Sequence, residues 1–295
     1  MFRSPGCCGD TPAGEFRQHI GVRVGILGLG LMGASFALAL RRARPGLALL
    51  GFDPDAATMR RALDRGVVDP GDPSTADVVV LAAPIPALPG LLAGLAGHPG
   101  TVTDVASTKA QVMRWAAAAG VDLVGGHPMC GREQGGIESA DAGLFEAAPW
   151  VLTRDEPAVT DLVVAVGARP VFMDAERHDR LVAGVSHAAF ALSTAYVLAL
   201  AGDDWPDMQR VAGSGFRDMS RLAAGDPELY AAIAGTNRED LAEALQAVEA
   251  SLARLRRHVE AGDGRLVELF EEARRVRERW ASGAGAAAAA RRGPR

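Results

Sequence analysis

The chain has 295 residues, enough for one large domain or for two domains of ordinary size. It is 48% hydrophobic and 23% charged, which is typical of a globular protein and excludes an intrinsically disordered chain. The formal net charge is −5 and no large basic block occurs, so nothing indicates nucleic acid or an anionic membrane as a partner.

The N-terminal tail and the cysteines bear on the compartment. Residues 1–20 contain no apolar run long enough for a signal peptide or a membrane anchor, and we predict a simple tail. The three cysteines, Cys7, Cys8 and Cys130, form neither a disulfide framework nor a C-x-x-C metal pair. We therefore expect a reducing cytoplasm and no metal site. We interpret Cys130 as a small apolar loop residue rather than as a nucleophile.

Strand-like and helical patterns alternate through the first half of the chain. Short, nearly continuous apolar runs, typical of strands buried on both faces of a parallel sheet, occupy residues 22–28, 47–53, 77–83, 101–105 and 122–126. Helical patterns lie between them, at 31–44, 55–65 and 107–119, and further strands are predicted at 149–153 and 170–174. This alternation predicts an α/β domain over residues 21–175, built on a doubly wound and mostly parallel sheet.

A glycine-rich loop follows the first predicted strand and leads directly into a helix. It reads Gly28-Leu29-Gly30-Leu31-Met32-Gly33. Gly28 permits a tight turn, Gly30 lets the backbone approach a pyrophosphate, and Gly33 lets the helix pack close to the strand. The exposed N–H groups at the start of the helix, which include Leu31 and Met32, and the helix dipole then hold the phosphates. The loop predicts a Rossmann-type dinucleotide-binding domain.

An acidic residue stands where such a domain needs one. Asp53 lies twenty residues past Gly33, at the end of the second predicted strand. A carboxylate there accepts hydrogen bonds from the adenosine ribose hydroxyls and repels a 2′-phosphate. No arginine follows directly, since the next residues are Pro54 and Asp55, so NAD⁺ is favoured over NADP⁺. The alternative for Asp53 is a helix N-cap or a solvated turn residue.

Two polar segments come after predicted strands, at the edge where open α/β sheets place their ligand crevice. The first is 104–109, from Asp104 to Lys109, and the second is 126–133, which contains His127. A histidine there can remove a hydroxyl proton near neutral pH, because its unperturbed pKa is about 6.5. The alternative is that His127, which precedes Pro128, is only a turn residue.

After about residue 175 the strand-like runs end and helical spacing takes over. Helical segments are predicted at 178–201, 206–224, 227–261 and 264–280. One helix face carries an apolar stripe formed by Leu241, Leu245, Val248, Leu252 and Leu255. We therefore predict an all-helical domain over residues 176–280, with part of its apolar surface covered by a second subunit. Residues 281–295 are of low complexity and are predicted to be a disordered tail.

The helical half also contains candidate site residues. His187 precedes a wholly apolar run and is either a core or interface histidine, or a second base on the helical side of the cleft. The segment 213–221 contains Arg217, Asp218 and Arg221. Two arginines there suggest an anion clamp, because a guanidinium fork suits a carboxylate. The alternative for either arginine is a solvated helix face.

Six motifs in order give a more specific resemblance. They are G-L-G-L-M-G-x-S at 28–35, D-x-x-S-x-K at 104–109, G-x-H-P-M-x-G at 125–131, A-x-x-x-L-F…W-x-L-T between 140 and 153, H-D-x-x-x-A…S-H between 178 and 187, and G-F-R-D-x-S-R at 215–221. Across roughly residues 22–260 the chain resembles prephenate/arogenate dehydrogenases.

The resemblance implies a role for several residues. His127 matches the histidine that hydrogen-bonds the substrate's ring hydroxyl and takes its proton. Ser107 matches the serine that helps to orient that hydroxyl and the nicotinamide. Arg221 matches the arginine that binds a substrate carboxylate. Glu133 matches an acidic residue near the mouth of the site, and Tyr230 stands where the family often has tryptophan.

One departure from the family bears on the substrate. The family commonly reads S-H-L-P-H, whereas this chain reads Ser186-His187-Ala188-Ala189-Phe190. Phe190 thus replaces a second histidine, which in prephenate-using members lies near the substrate side chain. How that side chain is held, and with it the choice between prephenate and arogenate, is left open by the sequence.

The expected function is NAD-dependent oxidative decarboxylation of prephenate to 4-hydroxyphenylpyruvate in tyrosine biosynthesis, carried out by a homodimer. The first alternative is the conversion of arogenate to tyrosine. A β-hydroxyacid dehydrogenase is a weaker alternative, because those enzymes usually use a lysine base in the helical domain and this chain has no lysine after Lys109. A non-catalytic dinucleotide-binding protein is a third, against which Ser107, His127 and Arg221 argue.

Overall fold

The first half of the protein is built on a five-stranded parallel sheet. A computed structural model describes residues 22–131 and 134–289, with side chains described as far as Ser282. The strands are β1 (Arg23–Leu27), β2 (Ala48–Phe52), β3 (Val78–Leu81), β4 (Thr101–Asp104) and β5 (Leu123–Val124). Their order is β2-β1-β3-β4-β5, and every neighbouring pair is parallel. The predicted doubly wound sheet is confirmed, and its order reverses at β1, where the glycine-rich loop begins.

Helices cover both faces of this sheet. They are α1 (Leu31–Ala43), α2 (Ala56–Asp64), α3 (Leu88–Gly94), α4 (Ala110–Ala118) and α5 (Pro157–Ala165). Alternate residues of β3 enter different core clusters, because successive side chains of a strand point to opposite faces. Val80 packs with Phe36 of α1 on one face, and Leu81 packs with Leu88 and Val112 on the other. Helix α3 was not predicted from the sequence, since its seven residues contain Pro89 and two glycines.

A second, smaller sheet carries the segment that contains His127. It consists of β6 (Gly126–Pro128), β7 (Pro149–Leu152) and β8 (Arg169–Phe172), with β6 antiparallel to β7 and β7 parallel to β8. The predicted strand at 122–126 is therefore two strands, and His127 lies within β6, paired with Val151, rather than in a loop. Strands of two and three residues are too short to show an alternating pattern, which is why the sequence did not separate them.

The second half is helical throughout its described part, as predicted. It begins with α6 (Ala175–Val182), a π-helical turn (Ala183–His187) and α7 (Ala188–Leu200). It continues with α8 (Trp205–Val211), α9 (Ser214–Ser220), a 3₁₀ turn (Arg221–Ala224), α10 (Pro227–Thr236), α11 (Arg238–Ala261) and α12 (Arg265–Ala289).

Three boundaries differ from the predicted ones. The segment predicted at 206–224 breaks near Gly213, and the one at 227–261 breaks at Asn237. Residues 281–289, assigned from the sequence to the disordered tail, continue α12 to Ala289. Alanine has the highest helix propensity, so an alanine-rich run of low complexity can extend a helix that already exists.

The helical half docks on one face of the parallel sheet. Phe190 of α7 and Ile233 of α10 are buried in the same cluster as Leu81 and Val102. By length and composition alone, the helical stretch Ala175–Leu200 could cross a membrane, with a mean hydropathy of 1.6 in its most apolar window and 33% of that window buried. This stretch also carries Asp179, which is buried and hydrogen-bonded. We therefore assign it to packing within the fold.

Candidate active site

The glycine-rich loop has the close approaches that a dinucleotide site requires. Gly28 has a φ of +102°, in the region that favours glycine, and a Cβ built on it would lie 2.6 Å from the carbonyl oxygen of Ala82. A Cβ on Gly33 would lie 1.9 Å from the carbonyl oxygen of Gly28, so α1 packs directly on the turn. Among the residues that the structure describes, no heavy atom lies within 4 Å of a Cβ built on Gly30, which leaves this backbone open to a ligand.

The start of α1 suits a phosphate. Its N-cap, Gly30, supplies no side-chain hydrogen bond, and its first turn, from Leu31, holds no acidic residue. The first N–H groups of a helix have no partner within the helix, and the helix dipole adds partial positive charge. The residues present therefore fit the pyrophosphate of a dinucleotide.

Asp53 is tied to the glycine-rich loop. Its Oδ2 accepts a hydrogen bond from the Leu29 N–H at 2.8 Å, and its Oδ1 accepts one from the Asp55 N–H at 3.0 Å. The N-cap of α2 is Asp55 and not Asp53, because the Asp55 carboxylate accepts from the N–H groups of Ala57 and Thr58. Each oxygen of Asp53 keeps a further lone pair, as ribose hydroxyls require.

His127 lies inside a buried hydrogen-bond chain that reaches the helical half. Its Nδ1 is 2.8 Å from Nε2 of His178, and Nδ1 of His178 is 2.7 Å from Oδ1 of Asp179. Asp179 also accepts hydrogen bonds from the N–H groups of Lys109 and Ala110, at 2.7 and 2.8 Å, and so caps α4 from α6. Burial, with smaller repulsive contributions from His178, Lys109 and His187, holds the pKa of His127 well below its ordinary value. The imidazole is therefore neutral at physiological pH and available as a proton acceptor.

A fully buried ion pair lies at the end of β4, and its aspartate also binds β6. Lys109 Nζ donates to Asp104 Oδ2, and neither side chain is exposed to solvent. The other oxygen of Asp104 accepts the Gly126 N–H at 2.9 Å, next to His127 in the chain. Burial lowers the pKa of Lys109, and the neighbouring Asp104 opposes that change. Breaking such a pair would leave an uncompensated buried charge. The pair therefore fixes the segment between Asp104 and Lys109, which contains Ser107.

His187 is the last residue of the π-helical turn and is buried beside the same network. Its Nδ1 is 3.1 Å from the Asn237 side-chain amide, which also donates to the Asp179 carbonyl at 2.9 Å. Burial lowers the pKa of His187 to about 4, while Asp179 and the Ser107 backbone oppose the shift. Single π-helical turns occur frequently at functional sites. Because His187 and His127 interact electrostatically, the structure brings both predicted histidines and Ser107 into one region.

An aromatic pair lies next to His187. The rings of Phe190 and Tyr230 are stacked, with centroids 4.0 Å apart and planes 5° apart. The Phe190 ring is 6.1 Å from that of His187, and the Tyr230 hydroxyl donates to the Leu222 carbonyl at 2.9 Å. An apolar aromatic surface thus stands at the position where the resembled family carries a second histidine.

The remaining predicted site residues lie at the exterior or outside the described residues. Arg221 is exposed at the start of the 3₁₀ turn Arg221–Ala224, which packs against α7. Arg217 and Asp218 are exposed on α9. Glu133 lies outside the described residues.

The parts that His178, Asp179 and Asn237 play in this hydrogen-bond network were not predicted from the sequence. His178 and Asp179 belong to the H-D-x-x-x-A motif. A histidine next to an aspartate in a predicted helix is the feature that could have indicated a hydrogen-bonded pair. Cys130 is half-buried, and burial raises its pKa to about 11, so the thiol stays protonated and unreactive. Within residues 22–131 and 134–282, no cluster of three histidine, cysteine or acidic side chains could hold a metal ion.

A dinucleotide loop on a parallel sheet, a neutral buried histidine and a helical domain closing over it define a nicotinamide-nucleotide-dependent dehydrogenase. Comparison with known proteins gives the family. The model of the prephenate dehydrogenase nucleotide-binding domain matches residues 36–169, and that of the prephenate dehydrogenase dimerization domain matches residues 174–272. The chain therefore belongs to the prephenate dehydrogenase family.

Individual relatives agree with this assignment. The chain is 30% identical over 271 residues to the prephenate dehydrogenase of Lactococcus lactis subsp. cremoris, covering 86% of this chain and 76% of the relative. A crystal structure of Aquifex aeolicus prephenate dehydrogenase, in complex with hydroxyphenyl propionate and NAD⁺, matches with 29% identity and a TM-score of 0.81, covering 88% and 98%. The crystal structure of Synechocystis arogenate dehydrogenase matches with 32% identity and a TM-score of 0.75, covering 88% and 100%.

Proposed function

We propose that this protein catalyses the NAD⁺-dependent oxidative decarboxylation of prephenate to 4-hydroxyphenylpyruvate. The observation that carries the proposal is the buried, neutral His127 beside the carboxyl ends of the parallel strands, in a chain of the prephenate dehydrogenase family. NAD⁺, when bound, accepts the hydride from the ring carbon that bears the hydroxyl group. The products are 4-hydroxyphenylpyruvate, CO₂ and NADH.

His127 acts as the general base in this proposal. It accepts the proton of the ring hydroxyl as the hydride leaves the same carbon, and the ring carboxylate then departs as CO₂. Aromatisation of the ring drives the step. Burial keeps the imidazole uncharged and excludes water, so the base is ready before the substrate binds.

Other side chains bind and orient the substrate. Ser107, whose backbone lies against His187, orients the hydroxyl group and the nicotinamide. Arg221 binds a substrate carboxylate through its guanidinium fork. We assign His187 and Tyr230 to the wall that contacts the substrate side chain, and we propose Glu133 as a substrate-binding residue only by its match to an acidic residue of the family.

Arogenate is the second candidate substrate, and one observation keeps it in view. Phe190 stands where a second histidine is expected and is stacked on Tyr230, so the side-chain wall there is aromatic and uncharged. Such a wall offers no ion pair to the carboxylate of a pyruvyl group. We expect NADH formation with prephenate and a higher kcat/KM for prephenate than for arogenate. A higher kcat/KM for arogenate would reassign the substrate, and no NADH with either would reject both.

The cofactor preference can be tested at Asp53. We expect the Asp53→Ser variant to lose much of its preference for NAD⁺, because the carboxylate that repels a 2′-phosphate is gone. The ratio of kcat/KM for NAD⁺ to that for NADP⁺ is the measurement. Asp72→Ser is a matched control, since Asp72, like Asp53, accepts a backbone hydrogen bond, but from Ser74 rather than from the glycine-rich loop. An unchanged ratio in Asp53→Ser would contradict the assignment.

The assembly is proposed to be a homodimer through the helical half, the part of the chain that matches the family's dimerization domain. We place the domain boundary near residue 175, between the end of β8 at Phe172 and the start of α6 at Ala175. Large apolar side chains of this half are more than half exposed in the single chain, including Leu198, Val211, Val259, Phe270 and Trp280. Exposed apolar surface of this extent marks an interaction site.

We expect sedimentation at micromolar concentration to show a dimer. The substitution Phe270→Asp should weaken the dimer. The control Phe52→Asp, at a phenylalanine that is also exposed but lies in the first half of the chain, should leave the dimer unchanged. A stable, active monomer of the unchanged protein would contradict the proposal.

We also propose a cytoplasmic location, since the chain has only three cysteines and the half-buried Cys130 is a free thiol.

A further inference from the structure

The carboxylate of Asp179 is surrounded by hydrogen-bond donors. Its two oxygens accept hydrogen bonds from the backbone N–H groups of Lys109 and Ala110 at the start of α4, where the helix dipole favours a negative charge. An ionised carboxylate has no proton to donate. The 2.7 Å contact between Asp179 Oδ1 and His178 Nδ1 therefore has its proton on the histidine.

The proton between His178 and His127 can be placed in the same way. With its proton on Nδ1, a neutral His178 presents an unprotonated Nε2. That atom is 2.8 Å from Nδ1 of His127, so the proton in this contact belongs to His127. A second proton on His178 would place a cation on a fully buried side chain, next to His127, on which the buried Lys109 ammonium already acts.

We propose that His178 and Asp179 are positioning residues that fix the tautomer of His127, with the proton on Nδ1 and the lone pair on Nε2. The proposal rests on the proposed function, because it makes Nε2 the atom that accepts the hydroxyl proton. It adds two residues that act through His127 without touching the substrate. Asn237 supports them, since its amide donates to the Asp179 carbonyl from the junction between α10 and α11.

The arrangement also stabilises the base after it has reacted. A protonated His127 donates its Nδ1–H to His178, which in turn donates to the negative Asp179. Five charged and titratable groups surround this histidine, from four parts of the chain: Asp104 at the end of β4, Lys109 before α4, His178 and Asp179 on α6, and His187 in the π-helical turn. Among them the anion in line with the imidazole is Asp179, through His178.

Two substitutions of His178 separate its two hydrogen bonds. In His178→Gln the side-chain amide reaches the place of Nε2 and can still accept from His127. In His178→Asn the amide takes the place of Nδ1, keeps the bond to Asp179 and loses the contact with His127. His258→Asn is the matched control, because His258 also pairs with an aspartate, Asp263, but lies at the exposed end of α11.

The first readout is the tautomer itself, from the ring-nitrogen chemical shifts of ¹⁵N-histidine-labelled protein. The chain has only six histidines, and the His127→Asn variant identifies the signals of His127. We expect Nδ1 protonated and Nε2 unprotonated in the unchanged protein and in His178→Gln. We expect a mixture of tautomers in His178→Asn. Protonation of Nε2 in the unchanged protein would overturn the proposal, whatever the enzyme turns over.

The second readout is kinetic. We expect His178→Asn to lower kcat by about 10–10²-fold with KM changed little, since a wrong tautomer removes the base and not the binding. His178→Gln should recover most of that loss, and His258→Asn should match the unchanged protein. Equal losses in the Gln and Asn variants, with the tautomer of His127 unchanged, would overturn the proposal. Absence of turnover in the unchanged protein would instead reject the proposed function, and the tautomer measurement would still decide this inference.

Discussion

Replacing His127 by Asn is expected to lower kcat by about 10²–10⁴-fold, the range that a positioned general base contributes. The asparagine amide can still donate to Nε2 of His178 from the place of the imidazole Nδ1, so the buried network is kept. No group then occupies the place of Nε2, and the hydroxyl proton has no acceptor. The measurement is kcat under saturating NAD⁺ and prephenate.

Arg221→Ala should show the opposite balance, because its guanidinium is proposed to bind a carboxylate and takes no part in proton transfer. KM should rise steeply, while kcat falls less than in His127→Asn. Arg210→Ala is the matched control, since Arg210 is an exposed arginine on α8 and lies outside the segment 213–221. A His127→Asn enzyme with near-normal kcat would remove His127 from the mechanism and make His187 the next candidate.

The pH dependence of kcat is a further test of His127 as the general base. The base works only while it is neutral, so kcat should fall as the pH decreases through the pKa of His127. Because burial holds that pKa well below its ordinary value, the acid limb should lie below the pKa of about 6.5 expected for a free imidazole. The limb should be absent from the residual activity of His127→Asn. An acid limb that persists in this variant would assign it to another group.

The sequence predicted best what depends on local pattern. The strands of the parallel sheet lie within nearly continuous apolar runs and the glycine-rich loop has its own spacing, so the sequence indicated both, although it did not separate β5 from β6. The sequence could single out Asp53 as a candidate because its distance from Gly33 is set by the geometry of one strand–helix–strand unit. Its bond to the Leu29 N–H was not predictable, since it depends on how the two loops face each other.

What the sequence could not predict depends on contacts between distant segments. His127 and His178 are 51 residues apart and meet only because the helical half docks on the sheet. The short strand β6, which holds His127, pairs with a partner more than twenty residues away and has no pattern of its own. The π-helical turn before α7 inserts one extra residue per turn, which an apolar sequence with small residues does not reveal.

Gly33→Ala is expected to destabilise the protein, although alanine normally stabilises a helix interior by about 0.5–1 kcal/mol relative to glycine. Gly33 lies in the first turn of α1, and its Cβ would lie 1.9 Å from the carbonyl oxygen of Gly28, a backbone atom that cannot rotate away. Forcing atoms into such a packed site costs about 1–3 kcal/mol. The loop must shift, so NAD⁺ affinity should fall together with the melting temperature.

Gly30→Ala separates the two effects. Its Cβ would meet no heavy atom within 4 Å in the protein alone, so the melting temperature without cofactor should change little. NAD⁺ affinity should nevertheless fall by about tenfold or more, because the added methyl group occupies the space through which the pyrophosphate approaches the backbone. Thermal unfolding without cofactor and NAD⁺ titration by calorimetry measure the two quantities on the same samples. A Gly33→Ala protein with a raised melting temperature would contradict the packing seen at the loop. A Gly30→Ala protein with unchanged NAD⁺ affinity would place the pyrophosphate elsewhere, since no heavy atom of the described residues lies within 4 Å of the added Cβ.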